Sequence, residues 1–133
     1  MPDYKNIVYC TDFSENADFA FAEARYMAGI TGAKVFIVHV TPGGGEAPVP
    51  TAQAVQGAID HLRETYVLAG AEYAELYGNE AAEIMKFAEA QPDALIILGA
   101  RGIGALASLL SGGSIADKVT RNAKGPVLIV PAA

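Results

Sequence analysis

Only one cysteine, Cys10, occurs among the 133 residues, so no internal disulfide staples the chain. Tryptophan is absent. No apolar run approaches the ~20 residues that a bilayer span requires, which argues against a membrane protein. The opening MPDYKNIVYC has neither a basic segment nor a cleavage pattern, so the expected compartment is the cytoplasm. Cations are scarce too. Nine Lys and Arg face fifteen Asp and Glu, for a net charge of -6, and no basic cluster exists. Nucleic acid, which demands a basic face, is therefore not an expected partner. No HxxxH, CxxC or carboxylate cluster suggests a protein-held metal. His39 and His61 have no Ser or Cys partner by spacing and read as structural or solvent-facing.

Apolar residues are abundant, at 52%, and their period alternates between strand and helix. NIVYC (6–10), AKVFIVHV (33–40), ALIIL (94–98) and VLIVP (127–131) read as buried strands. AEYAELY (71–77) alternates weakly and reads as a marginal edge strand. Between these lie helical stripes. Ala17, Ala20, Phe21, Ala24 and Ala28 form the first, and Val55, Ile59, Leu62, Tyr66 and Ala69 the second. The third, after an Asn79 N-cap, carries Ala81, Ile84, Met85 and Ala88; the last holds Ile115, Val119 and Ala123. Ser114 and Asp117 make a pair resembling a capping box at its start. TPGGGEAPVPT (41–51) is a Pro/Gly loop. The order β-α-β-α-β-α-β-α-β predicts one α/β domain over residues 1–133, with a five-stranded parallel sheet and helices on both faces.

In such sheets ligands sit beyond the carboxyl ends of the strands, where strand order reverses. A 3-2-1-4-5 order with right-handed crossovers brings two loops to that place. One is Thr11-Asp12-Phe13-Ser14. The other is LGARGIGALASLLSGGS (98–114), with glycines at 99, 102, 104, 112 and 113. Gly99 and Gly102 would let backbone approach a ligand without Cβ interference. Gly112, Gly113 and Ser114 precede a helix whose free N–H groups can hold phosphate. Neither GxxxxGK[ST] nor a full GxGxxG is present, and a glycine loop also serves simply for turning and packing. Asp12 reads either as a ligand contact or as a turn residue, and Arg101 either meets phosphate or stays solvated. Cys10 reads as packing. Ile103, Leu106, Leu109 and Leu110 form a short amphipathic turn, packed on the domain or covering the crevice. A phosphorylatable receiver is excluded, since Asp12 stands alone and no lysine follows the fifth strand.

Four segments together resemble the universal stress protein family across the chain: NIVYCTDFSENADFAFAEA, VFIVHV, GNEAAEIMKFAEAQPDALIILGARG and GSIADKVTRNAKGPVLIV. The resemblance implies an adenine nucleotide alpha hydrolase-like fold with strand order 3-2-1-4-5, and homodimers paired through the last strand, Val127–Val130. One branch of the family binds ATP through G-x2-G-x9-G-[ST]. Gly99-Ala-Arg-Gly102 fits its first half. Gly112 follows after nine residues, but Gly113-Ser114 aligns with the closing pair, so this loop carries one extra residue. The insertion bears on the triphosphate geometry more than on the adenosine end.

Carried over by position, the resemblance places Cys10, Thr11 and Asp12 beside the nucleoside, Val40 against adenine and Leu98 below it. Gly99, Arg101, Gly102, Gly112, Gly113, Ser114 and Ile115 fall near the ribose and phosphates. The implied ligand is ATP, or AMP or ADP, accompanied by Mg2+. The implied role is regulatory, in stress response, through a surface read by a protein partner the sequence does not identify. No general base for water stands out and no Walker lysine is available, so ATP hydrolysis is expected to be slow at most. A dimeric interaction protein of the same fold that binds no nucleotide is the competing expectation.

Overall fold

The computed structural model describes residues 3–100 and 115–131. The strands are β1 (Asn6–Cys10), β2 (Lys34–Pro42), β3 (Glu72–Gly78), β4 (Ala94–Gly99) and β5 (Val127–Val130). Between them run helices α1 (Glu15–Thr31), α2 (Ala52–Thr65), α3 (Glu80–Glu89) and α4 (Ile115–Asn122). All pairings are parallel and the sheet order is β3-β2-β1-β4-β5, as expected.

Strand alternation sorts the core into two layers. Val8 and Cys10 of β1, Val38 and Val40 of β2, and Ile96 and Leu98 of β4 point to one face, where Ile84 of α3 and Val119 of α4 cover them. Ile7, Tyr9, Val35, Ile37, Leu95 and Ile97 point to the other, under Ala20 and Ala24 of α1 and Leu62 of α2. Because both faces are covered, the three central strands are continuous apolar runs without polar alternation.

Local signals fix the helix ends. The Ser14 side chain accepts from the Ala17 N–H, Thr51 from Ala54, and Asn79 from Ala82. Gly32 closes α1 in the left-handed conformation, at φ 71°. β3 lies at the sheet edge as expected. β2 runs two residues further than its apolar run suggested. Thr41 and Pro42 pair with Tyr77 and Gly78, so strand pairing overrides a turn-like composition there. The ion pair of Lys34 with Glu72 bridges the beginnings of β2 and β3.

Candidate functional site

Sequence order steps from β1 to β2 and β3 in one direction, then resumes beyond β1 with β4 and β5. The reversal therefore falls between β1 and β4. A cavity of about 560 Å³, counted out to its open mouth, lies at the carboxyl ends of β1, β2 and β4. Its wall comes from the covered aliphatic face: Cys10, Val38, Val40, Ile84, Leu98 and Ile115. Thr11, Asp12, Ser14 and Glu80 complete the lining.

Seven residues expected at the site thus share one cavity: Cys10, Thr11, Asp12, Val40, Leu98, Gly99 and Ile115. Arg101, Gly102, Gly112, Gly113 and Ser114 lie outside the described residues, as does the amphipathic turn 103–110. Val38, Ile84, Ala116 and Glu80 also line the wall and were not expected there. Val38 could have been found, since it stands two residues before Val40 and shares its face. Ile84 was legible as an inward helix position, though not as a cavity wall. Glu80 carried no signal, because its place depends on how the start of α3 meets the ends of the strands.

Asp12 serves the turn as well as the cavity. Its Oδ1 accepts from the Ser14 N–H at 3.0 Å. Thr11 is buried, and its hydroxyl is engaged toward the opposite face, 2.6 Å from the Tyr66 hydroxyl. Phe13, next along the loop, adopts φ 64°, a left-handed conformation that costs a bulky residue about 1–3 kcal/mol. Its ring is held among His39, His61 and Tyr66, with centroids 5.0, 4.6 and 6.0 Å away. His39 in turn meets the buried Glu75 carboxylate at 2.7 Å, which also accepts from Thr41.

The reason for Gly99 differs from the one expected. A Cβ there would stand 2.8 Å from the Asn16 carbonyl oxygen, so the backbone of α1, not a ligand, makes the close approach. The Asn16 side-chain amide also donates to the Ala100 carbonyl at 2.6 Å. The first turn of α1 is thereby latched to the end of β4, and both rims of the cavity are fixed relative to each other. Burial pushes the Cys10 thiol well above its ordinary range, keeping it a neutral packing group at neutral pH. Among the described residues, no group of three His, Cys, Asp or Glu side chains is placed to hold a metal ion.

This architecture has relatives. The model of the universal stress protein family matches residues 3–131. The chain belongs to that family. It is 30% identical over 141 residues to the universal stress protein in the QAH/OAS sulfhydrylase 3'region of Thermus aquaticus, spanning 96% of this chain and 98% of that one. Among solved folds, a universal stress protein in complex with cAMP superposes with a TM-score of 0.77 at 21% identity, over 96% of this chain and 97% of that one. The universal stress protein of Archaeoglobus fulgidus in complex with dAMP gives 0.56 at 23%, over 98% and 99%.

Proposed function

We propose that this universal stress protein binds an adenine nucleotide in the cavity between β1 and β4 and acts as a cytoplasmic, homodimeric regulator. The observation that carries the reading is the cavity itself. An apolar wall with Val38, Val40 and Leu98 suits a purine ring, and Asp12 in the same lining suits hydroxyl donors of a ribose. The cAMP and dAMP complexes of the two solved family members lend support to adenine as the base. The start of α4, at Ile115 and Ala116, also reaches the cavity, and a helix N-terminus favours phosphate. ATP, ADP and AMP are the candidate forms. Mg2+ would arrive bound to the phosphates of ATP.

A chain with no Trp and six Tyr absorbs little at 280 nm, so copurified nucleotide would dominate its ultraviolet spectrum. Acid extraction followed by chromatography should release an adenine nucleotide. Adding Mg-ATP or AMP to stripped protein should raise its melting temperature. A clean extract together with no thermal shift for either would instead support the dimeric interaction protein without nucleotide.

For the dimer, β5 supplies the edge. The Pro126 and Val130 carbonyls accept from Ile96 of β4 and from Ala100 just beyond it. By strand alternation, the backbone groups of Val127 and Ile129 face outward, available to a second β5. Ile129→Pro removes one outward donor while leaving the β4 ladder intact. It should convert a dimer to a monomer in sedimentation; a wild type already monomeric would remove the dimer from the proposal.

A further inference from the structure

The structure assigns Tyr66 a role at a distance: we infer that it is a positioning residue, holding the cavity-lining loop Thr11–Ser14 in shape from the opposite side of the sheet. This deepens the nucleotide-binding reading and rests on it for the effect on affinity.

The hydrogen bonds run in one direction. Asp18 offers a carboxylate oxygen, an acceptor only, and the Tyr66 hydroxyl donates to it at 3.1 Å. Its one proton is then committed. Across the 2.6 Å contact with Thr11, either oxygen could donate by geometry alone. With the Tyr66 proton committed to Asp18, the Thr11 hydroxyl donates to Tyr66. Its oxygen in turn accepts from the Phe13 N–H at 2.9 Å. The chain thus starts at a loop amide, passes through two hydroxyls and ends on a surface carboxylate. Such chains strengthen cooperatively, and losing a middle member weakens the rest.

The loop needs this support. Phe13 holds a left-handed backbone at φ 64° that its side chain disfavours, and such a conformation persists only where its surroundings over-determine it. Tyr66 contributes twice, through the hydroxyl on Thr11 and through a ring stacked on Phe13 at 6.0 Å. Its own ring is anchored edge-on by Tyr9 and Phe21, at 5.5 and 5.0 Å. Tyr66 is 2% exposed, caps the end of α2 and does not line the cavity. Asp12, between Thr11 and Phe13, does line it. The placement of that carboxylate is therefore set by a residue 54 positions away that does not line the cavity.

The test uses the full chain and two readouts. In the free protein, amide hydrogen exchange at Phe13 and Ser14 should quicken about tenfold in Tyr66→Phe, while amides of β3 and α3 keep their rates. Thr11→Val, which also removes the acceptor of the Phe13 N–H, should quicken them at least as much, Thr11→Ser should keep wild-type rates, and the double variant Tyr66→Phe/Thr11→Val should add nothing to Thr11→Val. In calorimetric titrations with AMP and with Mg-ATP, Tyr66→Phe, which leaves the cavity lining untouched, should weaken binding about five- to tenfold. Should Tyr66→Phe fail to fold, Asp18→Ala tests the same chain from its exposed end, with Asp18→Asn keeping an acceptor. Unchanged local exchange, uniform acceleration across the sheet, or strictly additive losses would each overturn the assignment. If the wild type binds neither nucleotide, the binding reading falls, and the exchange rates still judge the clamp.

Discussion

The two faces of the sheet are built to opposite ends. One carries short aliphatic groups, Cys10, Val38, Val40 and Leu98, and leaves a cavity beneath the starts of α3 and α4. The other carries Tyr9, Phe21 and Tyr66 in edge-on and tilted ring contacts, closed by hydrogen bonds. Cys10 and Tyr9 are neighbours on β1 and face opposite ways, while Phe21 and Tyr66 join the second face from α1 and the end of α2. Small residues make the room and large ones make the wall behind it stiff. A binding face thus needs a rigid back, and alternation along a strand supplies both at once.

The sharpest way to break this contrast is at the point where the rims of the cavity join. Gly99→Ala puts a methyl carbon against the Asn16 carbonyl, which as backbone has little freedom to yield. A loss of about 2–3 kcal/mol is expected from the shift in a urea denaturation midpoint, with nucleotide binding impaired as well. An unchanged midpoint would show that the latch between α1 and β4 is loose.

A matched pair of enlargements then tests the faces against each other. Ile37→Phe enlarges the filled face and should destabilise by about 1–3 kcal/mol. Val40→Phe fills the cavity instead; it should cost less than about 1 kcal/mol in stability while reducing affinity for AMP at least tenfold. Equal destabilisation by both would mean that the cavity is not real space. Tyr9→Phe removes the hydroxyl that donates to the Ala17 carbonyl inside the filled face, and should cost about 1 kcal/mol in the same denaturation assay.

The smallest effect is on pH. Burial, the leading cause in each case, raises the ionisation of Cys10, Tyr9 and Tyr66 above ordinary values, so the fold favours their neutral forms. Their contribution is fully present below the unfolded-state values and is lost as pH rises past them. Stability should therefore begin to fall above about pH 9, where an unfolded thiol ionises. Cys10→Ala should delay that onset toward the ordinary tyrosine range. A flat stability from pH 8 to 11 would count against the burial of these groups.

Much of the architecture was legible because its signals are local. The cap at Asn79, continuous runs at NIVYC and ALIIL, and Ala-rich stripes each report their own element. Even the meeting of the Asp12 loop with the end of β4 could be read, since right-handed crossovers leave few orders to consider. What stayed hidden depends on partners far along the chain. Nothing beside Gly99 announces that Asn16 crosses it, and nothing near Tyr66 announces Thr11. His39 gave no clue to Glu75, which reaches it only by the register of β2 against β3. Composition proposed a loop at Thr41 and Pro42 because it could not see the strand beside them.

The bond from Asn16 to the Ala100 carbonyl spans 84 positions. Its two ends are separated by three strands and two whole helices, and the chain must run through them all before the rims can meet. No fragment ending short of β4 contains the pocket, even with α1 and β2 folded. A ligand that enters there recognises the finished chain alone, so its binding energy would bear on the whole folding equilibrium and not on one lobe of it. During synthesis the pocket would be among the last features to exist.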